Sequence, residues 1–410
     1  MVKSAQRYLE VDPWRVVEKG FHPKQSRVSE SIFALANEYM GVRGYFEEGY
    51  GGDQLIGSYF SGFYEEAPVN RQAAYKGLID RARFMVNTVD WLFTRIEVDG
   101  EILDLARSKI RDYQRTLDFQ SGILDREFVW ETDSGKRLKL NFRRFVSMVR
   151  PNLGAQQITL TALNFSGPVQ VQCGLDFSPV HAEKKRNFWC CPRKGVEDRI
   201  IAILGKTENL GHKLFSGFHL RLGGAPKTGL FEREKFIGLE IVCNLKRGEA
   251  VTIEKMVTNY AAKNPGLTVE EVWQQGIQLA AGHLALSFDE ALAEHTAFWA
   301  ELWRNLDIAI EGDPENQQGI RFCLFQLHQT FHGANSGGNI GAKGLTGEAY
   351  NGHTFWDTET YCLPFYLFNN PAAARNLLEF RYHTLPQARA RAKELDCTGV
   401  FYPIATIDGT

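Results

Sequence analysis

At 410 residues the chain exceeds one ordinary domain, so two or more cores are expected. Apolar residues make up 44% and charged residues 23%, an ordinary globular balance, and no stretch approaches the uninterrupted apolar run of a membrane span. The 47 basic and 49 acidic residues are interspersed, leaving a net charge of −2 without the basic excess or stripe of a nucleic-acid binder.

The opening MVKSAQRYLEVDPWRVVEKG has neither an apolar h-region nor a run of small residues for cleavage, which argues against a secretory signal. The seven cysteines are scattered, with no CxxC and no His/Cys cluster at metal-ligand spacing. Reduced thiols in a cytoplasm, with no metal, are the expectation. Aromatics reach 12%. Their broad faces suit the apolar faces of sugar rings, and they suit a Phe-rich core equally well.

From about Thr88 to Tyr260 the hydrophobic period is two and the punctuation is turn-like. Trp91–Val98 runs into Asp99-Gly100, a hairpin signal, and Arg126–Glu131 into Asp133-Ser134-Gly135. Alternation resumes at Leu138 and recurs over Gln157–Leu163, Val169–Cys173, Ile200–Leu204, Gly238–Cys243 and Ala250–Val257. Many strands without intervening helices predict a large antiparallel β-sandwich, placed at residues 1–265 and expected to fold by itself.

The pattern changes after Asn264-Pro265-Gly266. Thr268-x-x-Glu271 and Ser287-x-x-Glu290 match the capping box and predict helices over Val269–Leu284 and Phe288–Leu306, a helical linker at 266–312. Asp313-Pro314 reads as an N-cap followed by proline, and Ile320, Cys323, Leu324, Leu327 and Phe331 then recur on one helical face. Asn370-Pro371 opens a helix to about His383, and another spans Gln387–Leu395. Between them lies Gly333–Thr354, whose seven glycines permit positive φ and close backbone approach. A loop that long inside a domain is functional or disordered, and its aromatic and charged end favours function.

The segment Lys343–Glu359, KGLTGEAYNGHTFWDTE, carries the chemistry. Trp356 offers an indole platform, and Asp357 a carboxylate able to accept hydrogen bonds from two adjacent hydroxyls. Equally, Asp357 and Glu359 could do no more than complement the dipole of a following helix, and Glu348 and His353 could simply order the loop. Asp357 and Glu359 cannot act as a glycosidase pair. Two residues apart at a helix start, their side chains diverge by roughly 200° and cannot flank one bond.

The run GLTGEAYNGHTFWDTETYCLPFYLFNNPAAARNLLEFRYHTLPQARARAKE resembles glycoside hydrolase family 65, the maltose, kojibiose, nigerose and trehalose phosphorylases. So does SESIFALANEYMGVRGYFEEGYGGD (Ser29–Asp53), which is similar to the family's N-terminal signature. The resemblance implies an N-terminal antiparallel β-sandwich, a helical linker, and the first helices of an (α/α)6 barrel at 313–410. It makes Trp356 and Asp357 binders of the non-reducing glucosyl unit, with Gly352, His353 and Phe355 shaping the pocket. The N-terminal motif reads as structural, with Arg43, Glu47 and Glu48 solvated or paired.

The activity implied is phosphorolysis of an α-glucosyl disaccharide, with inorganic phosphate as co-substrate, no other cofactor and a homodimer as the intact assembly. Phosphate attacks C1 from the face opposite the leaving sugar while one carboxylic acid protonates the glycosidic oxygen, which inverts the α-linkage to β-glucose 1-phosphate. The family's general acid lies in a G-P-D-E-Y-like motif with no counterpart in these residues. That acid and the phosphate ligands are expected beyond Thr410, so the chain reads as a truncated product or fragment, inactive alone. A trehalase-like hydrolase and an inactive carbohydrate-binding fragment are the alternatives.

Overall fold

A computed structural model describes residues 7–69, 78–224, 226–335 and 337–410. The chain opens with a hairpin of β1 (Leu9–Asp12) and β2 (Arg15–Lys19), followed by a short helix α1 (Ser26–Ile32). Three short strands, β3 (Leu35–Ala36), β4 (Met40–Val42) and β5 (Ser58–Phe60), make a small sheet. A separate ribbon pairs β6 (Tyr64–Pro68) with β7 (Arg81–Met85). None of these early strands has the long alternation that marks a strand in sequence.

The main β region follows. Its first half comprises β8 (Thr94–Val98), β9 (Glu101–Ile102), β10 (Lys109–Asp118), β11 (Ile123–Glu131), β12 (Arg137–Val146), β13 (Leu153–Ala162) and β14 (Gly167–Asp176). The second half adds β15 (Trp189–Glu197), β16 (Ile200–Thr207), β17 (Lys213–Leu222), β18 (Lys227–Arg233), β19 (Phe236–Leu245) and β20 (Ala250–Ala262). Together with the first hairpin they form a ten-stranded sheet, β1-β2-β10-β11-β12-β13-β20-β17-β16-β15, and a five-stranded sheet, β18-β19-β14-β8-β9. All the pairings are antiparallel.

Period-two patterning does what it should. Along β11, Leu124, Arg126, Phe128 and Trp130 turn inward while their neighbours stay partly exposed. Phe128, Trp130, Leu138 and Leu140 of the large sheet share one core with Ile96, Val169, Val171 and Ile241 of the small one. The two sheets therefore face each other as a sandwich.

Helices begin at α2 (Val269–Ala281) and α3 (Phe288–Leu306), each opened by a complete capping box on Thr268 and Ser287. The chain continues through α4 (Pro314–Thr330), the glycine-rich loop, and β21 (Thr354–Phe355), which pairs with β22 (Ala405–Thr406). A π-turn at Thr358–Cys362 leads into α5 (Leu363–Asn369), α6 (Pro371–His383) and α7 (Leu385–Glu394). Trp299 and Trp303 of α3 and Leu324 and Phe325 of α4 join the sandwich core, so the core runs past residue 265. No described helix is long and apolar enough to cross a membrane.

Charge is also buried in the sandwich. Arg126 on β11 donates to Glu48 at 2.6 Å and to Glu47 at 2.7 Å, and Arg144 on β12 pairs with Glu47. Arg115 on β10 holds Glu18. Burial pushes the Glu47 carboxyl up, but Arg144 and Arg126 outweigh it and hold the group below its ordinary value. The N-terminal signature is thus paired rather than solvated, with Arg43 also joined to Glu30 at 3.3 Å.

Candidate functional site

The glycine-rich loop is laid on the small sheet and ribbon that precede the sandwich. Glu38, itself at φ 69°, accepts the N–H groups of His332 at 2.8 Å, Ala334 at 3.1 Å and Asn335 at 2.8 Å. Arg43 donates to the Thr346 carbonyl. Glu348 is buried, and its carboxylate takes the Tyr59 hydroxyl at 3.2 Å, the Ala182 N–H, and an approach from His181 Nδ1 at 3.0 Å. These contacts tie Glu348, and with it the loop, to Tyr59 and to the His181–Ala182 segment.

Of the residues singled out in sequence, Gly352 and His353 turn toward the ribbon. Gly352 has φ +68°, and a Cβ there would lie 2.4 Å from Met85 Cβ. The absence of a side chain is therefore required by packing as well as by φ. His353 donates from Nε2 to the Arg83 carbonyl at 2.8 Å, and burial lowers its pKa, which favours the neutral ring.

Phe355 and Asp357 lie together. They line an open depression of about 430 Å³ with Ile340, Gly341, Ala342, Lys343, Tyr350, Thr358, Tyr361 and Cys362. That volume falls within the usual range for a small-molecule site. Trp356 is outside this wall, and its residue is 53% exposed. Asp357 is exposed and precedes the π-turn, but its side chain makes no capping hydrogen bond. Asp357 thus makes no side-chain cap, while its charge still lies at the start of the following turn, where it complements the dipole. Glu359, by contrast, is engaged by Arg381 at 2.8 and 2.9 Å.

The depression has a stiff frame. Thr358 Oγ1 donates to the Ile340 carbonyl at 3.1 Å and also meets Thr354 Oγ1 at 3.1 Å, both residues buried. Tyr350 and Asn351 adopt left-handed φ values of 60° and 56°, immediately before Gly352. Such backbone is costly for residues with a Cβ and persists where surroundings enforce it. Here it presents the exposed Tyr350 ring edge-on to Phe355 at 5.6 Å. Sequence reasoning did not single out Tyr350, Lys343 or Tyr361. Their only signal was membership of an aromatic-rich stretch around the WD pair.

A larger cleft of about 650 Å³ lies on the sandwich, lined among others by Glu48, Arg95, Asp104, Arg107 and Lys109. Its charged walls are already committed. Asp104 takes the Gly51 and Ala106 N–H groups and Arg107, Arg95 donates to the Glu47 and Thr94 carbonyls, and Lys109 pairs with Glu131. The depression around Asp357 is the better candidate.

Comparison with known proteins places this chain in a family. The N-terminal domain profile of glycosyl hydrolase family 65 matches residues 16–302, and the profile of its central catalytic domain matches residues 321–410. The chain is 33% identical to an alpha,alpha-trehalose phosphorylase of Thermoanaerobacter brockii, over 99% of this chain and 54% of that protein. It is 32% identical to a maltose phosphorylase of Bacillus subtilis (98% and 54%) and 30% identical to a kojibiose phosphorylase of Halothermothrix orenii (96% and 50%). A solved structure from the human microbiome, provisionally assigned as a kojibiose phosphorylase, superposes with a TM-score of 0.95 at 38% identity, covering 100% of this chain and 54% of that one. The chain thus spans about half the length of the relatives it matches. On the strength of both profile matches, the chain belongs to glycosyl hydrolase family 65.

Proposed function

We propose that this chain forms the sugar-binding part of an inverting disaccharide phosphorylase, acting on an α-glucosyl disaccharide and inorganic phosphate to give β-glucose 1-phosphate. The observation that carries the reading is its match, along nearly its whole length, to trehalose, maltose and kojibiose phosphorylases. The uncapped Asp357 carboxylate beside the depression supports it. In this reading Asp357 accepts hydrogen bonds from adjacent glucosyl hydroxyls and Trp356 covers an apolar sugar face. Phe355 is wall, while Gly352 and His353 shape the pocket from behind, through the backbone they fix. Helices α4–α7 are read as the first helices of an (α/α)6 barrel.

Phosphate is the nucleophile, so one carboxylic acid suffices, and it protonates the leaving oxygen. Glu348 is buried with the Tyr59 hydroxyl and the Ala182 N–H on its carboxylate, and Glu359 is forked to Arg381, so neither faces the depression as a ready proton donor. The family resemblance puts the acid in a G-P-D-E-Y-like motif that these 410 residues do not contain, and this reading has it outside them.

The test is an assay with trehalose, maltose, kojibiose and nigerose, with and without phosphate. It is run on the 410-residue chain and on a polypeptide of the relatives' length that contains it. Phosphate-dependent β-glucose 1-phosphate from the longer polypeptide alone is expected. Free glucose formed independently of phosphate would instead identify a hydrolase. Turnover by the 410-residue chain itself would show that the acid has been misplaced.

A further inference from the structure

Glu359 and Arg381 stand outside the wall of the depression yet tie its support together. Arg381 Nε donates to Glu359 Oε1 at 2.8 Å and Nη2 to Oε2 at 2.9 Å, a two-point fork that fixes orientation as well as distance. Nη2 also reaches the Phe355 carbonyl at 3.5 Å. One guanidinium on α6 therefore grips the residue just before Trp356 and the residue two after Asp357. The Arg381 carbonyl in turn accepts the Tyr402 hydroxyl at 2.9 Å and the Thr384 hydroxyl at 3.2 Å, which anchors the root of the side chain.

The two side chains are only 12% and 25% exposed, so their attraction is less screened than that of a surface pair. The backbone they hold is unusual. Thr358–Cys362 is a π-turn, a geometry rarely stable without help and often found beside functional groups. We propose that Arg381 is a positioning residue: through Glu359 and the Phe355 carbonyl it holds Trp356 and Asp357 in the orientation that receives the glucosyl ring. This inference rests on the sugar-binding reading of Trp356 and Asp357. A lysine could keep the charge but not the fork, since its ammonium is a single point.

Arg381→Lys and Glu359→Gln, each made in the 410-residue chain, remove the fork while preserving size and polarity. Hydrogen exchange of peptides spanning residues 354–362 should accelerate by about tenfold, a size within the usual range of a coupled pair, with β11 and β12 unchanged. Acrylamide quenching of Trp356, isolated by subtracting the Trp356→Phe chain, should rise in parallel. The double variant should loosen the segment no more than either single one. Unchanged exchange at 354–362 overturns the proposal. So does acceleration spread equally over β11 and β12, because that is a general loss of stability.

Titration with D-glucose, read by the same fluorescence, separates this inference from the reading beneath it. The parent should respond, Asp357→Ala should not, and Arg381→Lys should bind several-fold more weakly. If Asp357→Ala matches the parent, the sugar-binding reading falls and the positioning role with it. If Asp357→Ala loses glucose while Arg381→Lys keeps parental affinity, the site stands and the positioning role fails.

Discussion

Asp357 offers its carboxylate to solvent at the edge of the depression, with no hydrogen bond to the turn behind it. In a polypeptide of the relatives' length, Asp357→Ala should therefore leave the melting temperature nearly unchanged. It should lower kcat/KM at least tenfold, because losing a charge-assisted hydrogen bond costs about 1.5–3 kcal/mol and about 1.4 kcal/mol is a factor of ten. A fall in melting temperature with unchanged activity per folded molecule would make Asp357 structural. Gly352 behaves oppositely. Its φ of +68° and the 2.4 Å approach to Met85 predict that Gly352→Ala destabilises by about 1–3 kcal/mol in a denaturant titration. Lys255 gives a pH signature. It is fully buried and donates to the Trp91, Phe93 and Gly174 carbonyls, and desolvation lowers its pKa from 10.5 to about 8. Between pH 8 and 10.5 the folded chain sheds this proton before the unfolded chain does, so this group's contribution to stability rises with pH. The stability difference between the parent and Lys255→Met should shift in the parent's favour across that window; a constant difference would contradict the lowered pKa. Trp356 and Asp357 were legible only as candidates, because their side chains state their chemistry. The Arg126–Glu47–Glu48 cluster was not, since its partners lie about eighty residues apart and only the tertiary fold brings the turn after β4 onto β11.

At the scale of elements, local signals succeeded where the cause is local. The Thr268 and Ser287 capping boxes marked both helix starts, because each box satisfies backbone donors within four residues. Thr268→Ala or Ser287→Ala should each cost about 0.5–2 kcal/mol, measured by denaturant titration with unchanged m-value. Strands with long alternation, such as β11 and β12, were legible; β3, β4 and β5 were not. Those are two or three residues long and buried along their length, so no period can show. The π-turn at Thr358–Cys362 was also invisible, because it depends on partners such as Arg381 and the Ile340 carbonyl that are distant in sequence. The glycine-rich loop read as functional, but its shape is imposed by Glu38 and Arg43 from the N-terminal signature and by Tyr59 just after it. The two family motifs are two sides of one contact.

For the whole molecule, the question is how far the sandwich core extends. Trp303 donates to the Phe119 carbonyl at 2.6 Å, and Trp299 stacks on Phe325 at 4.5 Å within the same core as Leu117 and Leu124. His295 on α3 accepts the Met148 N–H at 3.1 Å, and burial lowers its pKa to about 4, which suits that accepting role. A fragment ending at residue 265 would lose these indoles and leave their cavity wet. Removing one buried tryptophan typically costs about 3–5 kcal/mol, a large part of the roughly 5–15 kcal/mol that holds a domain together. Residues 1–312 retain α3 but expose the face that α4 covers. The three polypeptides 1–265, 1–312 and 1–410 should therefore rank in that order of melting temperature, with the widest gap between the first two. Circular dichroism and calorimetry on the three will decide. A cooperative melt of 1–265 at the temperature of 1–312 would show that α3 docks on a finished sandwich instead of completing it.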